Sequence, residues 1–355
     1  MRILIVHRNA RIGGANTYIL AVAPELIARG HEVHLLIGPG PLLPKLREAV
    51  QTRVIVAPPV RAAGSFILRR AIRLREIDVV NAHTVTSGAL SLAACRAEGV
   101  PLVQHAHSLI PLHEADPVLR GAGAVMVMNR SVQHWVGQVE GVAGKTVLSR
   151  LAVDPARFHL RPPHEDGGFH LLYCGRMSRR KAAYARDLLA MLAAVDSQVP
   201  GLRLTIVGGG SRQGQMGRTV REANARLGRE AVRYAGETLD TAPLIASADC
   251  VIGAGYVALE ALATGRHTIG VGIQGLTGYV TRENLDASIE ANFGDHDAFD
   301  RDVTADSLAD QVLAAHAAWQ RERALGWASE AIGQEFSVAR VCDDLERVYA
   351  SVARG

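Results

Sequence analysis

Short, nearly unbroken apolar runs punctuate the chain, and the segments between them carry apolar residues at helical spacing. "RILIVH" (Arg2 to His7) predicts a first strand, and "RIGGA" a turn. In "NTYILAVAPELIARG", Ile19, Val22, Leu26 and Ile27 fall on one helical stripe that stops at Gly30. "HEVHLLIG", "RVIVAP", "IDVVNAH", "VPLVQHAH", "AVMVMN" and "KTVLSR" predict further strands. Runs that are continuous instead of alternating belong to parallel strands covered on both faces.

"HLRPPHEDGG" (His159 to Gly168) breaks this rhythm with proline, glycine and charge, and reads as a linker. The alternation then restarts with "FHLLYCG", a helix near Ala182 to Val195, "LRLTIVGGG", a helix near Val220 to Leu227, "AVRYAG", a short helix near Ala242 to Ser247, "DCVIG", the helical "YVALEALAT", and "HTIGVG". Gln311 to Ala353 is expected to be mostly helical, with a break near "GQEFS". The pattern predicts two doubly wound α/β domains facing each other, with ligand at the strand C-termini that line the cleft.

Composition narrows the function. A chain of 355 residues fits two domains better than one core. Aromatic residues are 5%, too few for a carbohydrate module built on aromatic platforms. A net charge of +4 does not point to nucleic acid. Only three of the 39 basic residues are lysines, which draws the eye to Lys181. Cys95, Cys174, Cys250 and Cys342 form no CxxC pair and are expected to be free thiols. No apolar run reaches membrane-spanning length, and "MRILIVHRN" is expected to be a strand instead of a signal peptide, so the expected location is cytoplasmic.

Several loops carry candidate chemistry. "RIGGAN" (Arg11 to Asn16) joins the first strand to the first helix, where glycine allows a close ligand and the helix end favours an anion. It is not GxGxxG, and no acidic residue ends the second strand, which disfavours a nicotinamide enzyme. "GVAGKT" fails as a phosphate loop, because Val139 stands where a glycine is required and Lys145-Thr146 opens a strand. "VGGG" (Val207 to Gly210) fits a sharp turn and a nucleotide contact equally well. In "CGRMSRRK", Arg176 and Lys181 suit a diphosphate whose charge grows as a bond to it breaks. In "GAGYVALEALAT", the helix opens after Gly255 and carries Glu260 within reach of a sugar hydroxyl, a pattern that suits a ribose. His7, His83 and His107 end strands, with His105 beside them; with no carboxylate near in sequence they are a weak metal signal, and no metal is expected. "SFILRRAIRLREID" (Ser65 to Asp78) interleaves arginines with apolar residues, as either a scaffold helix with a basic outer face or a weak peripheral membrane contact at the inner face.

Together these residues resemble the retaining, nucleotide-sugar-dependent glycosyltransferases of family 4, with the GT-B fold. The resemblance is carried by "GGANTYILAVAPELIARGHEVHLL", "DVVNAHT", "PLVQHAHS", "LSRLAVDPARF", "YCGRMSRRK", "ALEALATGR" and the terminal "FSVARVCDDLERVYASV", which is similar to a helix that crosses back onto the first domain. It implies a first Rossmann-like, acceptor-side domain over 1–162 completed by about 335–355, and a donor-side domain over 163–334. It implies that Arg176 and Lys181 hold the donor diphosphate, that Glu260 holds the ribose, and that Gly209 approaches the nucleotide. Gly14 of the Gly13-Gly14 pair would lie near the donor phosphate, His107 by the sugar, and the amides of Gly255 and Tyr256 at the diphosphate. The implied partners are a UDP- or GDP-sugar and a sugar, lipid or small-molecule acceptor, with no metal or other cofactor and no nucleic acid. One residue departs from the family: Ile252 stands where a second glutamate is usual, eight positions before Glu260. A catalytically degenerate nucleotide-binding or scaffold homologue, and a GT-B epimerase or phosphorylase, therefore stay open as alternatives.

Overall fold

The computed structural model describes residues 1–51, 53–56, 61–163 and 167–354; the side chains of residues 61–63 and 179–181 lie outside that description. The chain forms two compact units, Met1–Asp154 with Glu335–Gly355, and Pro155–Gln334. The second unit thus begins ahead of the proline-rich segment, and Arg161 N donates to Thr264 O inside it.

The first unit holds β1 (Arg2–His7), β2 (Glu32–Ile37), β3 (Val54–Val56), β4 (Val79–Ala82), β5 (Leu102–Ala106), β6 (Ala124–Val127) and β7 (Thr146–Leu148). They pair in parallel in the order β3-β2-β1-β4-β5-β6-β7. The continuous apolar runs follow from this arrangement, since Ile3, Leu4, Ile5 and Val6 are all buried. The helix Gly14–Ala28 buries Tyr18, Ile19, Val22 and Leu26, so Tyr18 takes the core place expected of Ile27, which is only half-buried. The terminal helix Val338–Ala353 completes this unit: Asn81 Nδ2 donates to Tyr349 Oη, and Arg29 bonds Asp343, Glu346 and the Ala339 carbonyl.

The second unit holds β8 (His170–Cys174), β9 (Arg203–Val207), β10 (Val232–Gly236), β11 (Cys250–Gly253), β12 (His267–Val271) and β13 (Leu276–Tyr279), in the order β10-β9-β8-β11-β12-β13. The edge strand β13 runs antiparallel to β12, a return that the sequence pattern did not announce. Phe169, Leu171, Tyr173, Leu188, Leu192, Leu204, Ile206, Ile252 and Ile269 belong to one core. The helices begin earlier than their apolar stripes indicate, at Arg179 and Gln213. The C-terminal helical stretch breaks twice, between Arg321 and Gly326 as well as at Ser337.

All four cysteines are free, as expected. No described helix is long and apolar enough to cross a membrane. In the basic helix Arg61–Leu74, Phe66 and Leu74 are exposed while Arg69 and Arg73 both pair with Glu98, so part of the expected basic face is neutralised within the fold.

Candidate functional site

Each sheet has one place where the strand order reverses. In the first unit the chain winds outward from β1 through β2 to β3, then returns to β4 on the other side of β1. In the second it winds from β8 to β10 and returns to β11 beside β8. Loops diverge at such a point and leave a crevice at the strand C-termini. The switch points fall after β1 and β4, and after β8 and β11.

The second switch point collects most of the expected donor residues. Arg176 follows β8 by two residues and is exposed. Lys181 lies in the first turn of the helix Arg179–Val195, and its side chain is outside the described residues. Gly255 opens the helix Tyr256–Ala263 after β11, at φ 57°, a left-handed conformation that favours glycine. Its N–H donates to Asn292 O at 3.3 Å. Tyr256 is the first residue of the helix, where amides lack intrahelical partners and the dipole is positive.

The glycines after β9 act first on the backbone. A Cβ on Gly208 would stand 1.8 Å from Gly175 O, so this glycine lets the β8 and β9 exits touch. Gly209 is buried, its carbonyl accepts from Met177 N at 2.9 Å, and its Cβ direction faces Glu237. The run thereby fixes the segment that carries Arg176.

Glu260 is 6% exposed, five positions into the helix after Gly255. Thr241 Oγ1 donates to its Oε2 at 3.2 Å. Burial pushes its carboxyl up to about 7, while Arg157 and the Thr241 hydroxyl draw it back and Asp240 adds to the rise. Arg157 in turn bonds Asp240 at 2.6 Å. Thr241, Asp240 and Arg157 were not anticipated from sequence; the one available signal was Arg157 in the "DPARF" segment before the linker.

Ile252 belongs to β11, not to a loop entering the helix. It pairs with Ile269 and Tyr173 and is fully buried. The position where the resemblance leads one to expect a glutamate thus lies in the core, and Gly253 follows with its Cβ direction 3.0 Å from Cys174 O.

The first switch point holds the remaining expected residues. Gly13 and Gly14 are exposed between β1 and its helix, and nothing lies within 4 Å of a Cβ placed on Gly13. Asn16 fixes the loop by donating to Asn9 O and Arg11 O. His107, just past β5, shares one hydrogen bond with His83, from its Nε2 to His83 Nδ1 at 2.8 Å. His105 stacks on His107, and Tyr18 meets all three rings. Burial pushes His105 down to about 3 and His7 to about 4, and holds His83 and His107 well below the ordinary range. The "GVAGKT" segment is structural: a short 3-10 turn precedes β7, and Lys145 Nζ donates to the carbonyls of Arg120 and Ala122.

Comparison with known proteins finds two family models along the chain. The family described as Glycosyltransferase Family 4 matches residues 12–157, and that described as Glycosyl transferases group 1 matches residues 168–305. A D-inositol 3-phosphate glycosyltransferase of Mycolicibacterium paratuberculosis is 26% identical over 247 residues, 57% of this chain and 54% of that protein. The Mycobacterium tuberculosis protein of the same name is 26% identical over 323 residues, 74% of this chain and 65% of its own. The chain thus spans between half and two thirds of the length of these curated relatives. Among solved structures, the Anabaena protein HepE in complex with UDP superposes with a TM-score of 0.73 at 17% identity, covering 99% of this chain and 100% of that one. The sucrose-phosphate synthase of Thermosynechococcus elongatus gives 0.74 at 18% identity, covering 99% and 98%. At these identities the structural likeness shows the fold, which is GT-B.

Proposed function

We propose, from the premise that two domain families and the fold make this chain a glycosyltransferase of the GT-B type, that it moves a sugar from a UDP- or GDP-sugar to an acceptor with retention at the anomeric carbon. The observation that carries this reading is the convergence of Arg176, Gly255, Tyr256 and the buried Glu260 on the switch point of one sheet. UDP is the first base to test, because HepE has been solved with UDP and with UDP-glucose. A phosphorylated polyol is the first acceptor to test, because the curated relatives are named for inositol 3-phosphate.

In this mechanism the diphosphate lies against Arg176 and the helix end at Gly255 and Tyr256, with Lys181 as a second cation. These groups stabilise charge as the bond from the anomeric carbon to the phosphate oxygen breaks and its electron pair stays on oxygen. The acceptor oxygen bonds to the same face of that carbon, and its proton passes to the departing phosphate oxygen. Two cations and a helix end meet the diphosphate charge, so no metal is required for this step. Glu260 takes ribose hydroxyls, and each such bond favours its ionised form. In the first unit, His107 and the Gly13-Gly14 pair are donor contacts implied by the family resemblance alone. A scaffold homologue, an epimerase and a phosphorylase are not favoured.

Calorimetric titration with UDP, GDP and ADP, without added metal, tests the donor side. One nucleotide is expected to bind selectively, and Arg176→Ala to weaken it by roughly 10- to 100-fold, as for a lost charge-assisted contact. Equal affinity in the variant would remove Arg176 from the site. Binding with no turnover on any acceptor would leave a nucleotide-binding homologue.

A further inference from the structure

Three histidine rings meet at the switch point of the first unit. His83 and His107 lie edge to edge, Nδ1 to Nε2 at 2.8 Å, with 16° between their planes. His105 stacks against both, its centroid 4.2 Å from His107 and 5.2 Å from His83. One ring nitrogen from each lies within 4.8 Å of the other two. Among the described residues, His83 Nε2, both nitrogens of His105 and His107 Nδ1 are buried without a hydrogen-bond partner. Each such atom costs about 1–3 kcal/mol when left unpaired. Each neutral imidazole carries one N–H and one lone pair, and within the cluster only the His83–His107 contact matches a donor to an acceptor. A cation that accepts lone pairs resolves the conflict.

We propose that His83, His105 and His107 form a binding site for a divalent transition-metal ion of the zinc type. Three imidazoles with a fourth position open are a zinc ligand set. The set contains no carboxylate, which disfavours magnesium and calcium. Zinc–nitrogen bonds of about 2.0–2.1 Å put tetrahedral ligands about 3.4 Å apart. Binding therefore requires the hydrogen-bonded pair to open and the outlying nitrogen to close in. The titratable neighbours facing the rings are His7, and Tyr18 by ring contact. The outward nitrogens lack carboxylate or carbonyl partners to orient them, which sets the expected affinity at micromolar strength, below that of structural zinc sites. Occupancy engages His107, so a bound ion inhibits transfer; this consequence alone rests on the function proposed above.

The test is titration of the purified wild-type chain with Zn2+ by calorimetry and with Co2+ by visible absorption, without donor. His105→Phe and His83→Phe keep an aromatic ring and remove ligands. One ion per chain is expected, with a four-coordinate cobalt spectrum and at least tenfold weaker binding in each variant at unchanged circular dichroism. Zinc-edge absorption of the wild-type protein should give a nitrogen shell, and this reading decides the matter if a variant does not fold. No saturable binding, a sulfur shell from the cysteines, or full affinity in both variants would overturn the site. If sugar transfer is found, His105→Phe should stay active and lose its zinc inhibition. Absence of transfer counts against the proposed function and leaves the binding result standing.

Discussion

The two units share a winding plan and load their switch points with opposite chemistry. At the ends of β1, β4 and β5 the first unit gathers neutral bases: His83, His105 and His107, with His7 at the end of β1. At β8 and β11 the second gathers a buried acid, Glu260, beside the Arg157–Asp240 pair. Desolvation acts on both and moves them in opposite senses, lowering the histidines and raising the carboxyl to about 7. One parallel-sheet architecture thus supports two sites that respond to pH in contrary directions.

The largest expected effect breaks the first unit with acid. In the unfolded chain histidines take up protons below about pH 6.5, whereas the folded rings stay neutral to much lower pH. Between those values the unfolded state binds more protons, so stability falls as pH falls. Each ring that stays neutral costs about 1.4 kcal/mol per pH unit, or roughly 3 kcal/mol at pH 4.5. Hydrogen exchange at pH 7 and pH 4.5 should show protection lost first in residues 79–107. Equal loss around residues 250–264 would dissolve the contrast.

Ile252→Glu attacks the second unit next. Restoring the family's usual glutamate looks conservative by alignment. In the fold it places an unpaired carboxylate between β8 and β12, against Tyr173 and Ile269. A loss of about 4 kcal/mol or more is expected by chemical denaturation, from a buried charge without a partner. A stable variant with gained activity would show that this strand end opens onto the site.

Much of this contrast could be read in advance, and the reasons differ by residue. Strand-end histidines were visible because the apolar runs stop on them; their stacking was not, because it depends on the β4–β5 register that sets Val80 opposite Leu102. Glu260 stood out against apolar neighbours, so a partnered glutamate was legible. Its partners were not: Arg157 and Asp240 stand 83 positions apart and meet only in the fold. Ile252 was found as a departure, but its place in β11 came from pairing with Ile269, which single-chain periodicity does not resolve. The edge strand β13 escaped because four residues, "LTGY", carry too short a pattern.

Glu260→Gln sharpens the comparison more gently. The folded carboxyl titrates at about 7 and an ordinary one at 4.5, so between those values the folded state holds the extra proton. Stability from this group is full below pH 4.5 and is lost as pH rises through 7, the reverse of the histidines. The amide removes that dependence. At pH 8 the variant is expected to gain about 3 kcal/mol in thermal or chemical unfolding without ligand, while binding nucleotide more weakly. Unchanged stability at pH 8 would mean that the carboxyl is already solvated.

The smallest change tests the cause instead of the group. Thr241 Oγ1 donates to Glu260 Oε2, and that bond favours the ionised acid. Thr241→Val keeps the volume and removes the donor. The loss is worth about 0.5–1.5 kcal/mol to the charged form, which raises the carboxyl by roughly half a unit to one unit. Infrared difference titration of the carboxyl band, with Glu260→Gln to assign it, should move upward by that amount. The histidine-dependent acid transition should not move, because Thr241 acts on the second unit's acid alone. A shift in both would mean that the two switch points are coupled, and the opposition between them would then belong to the whole chain and not to each sheet.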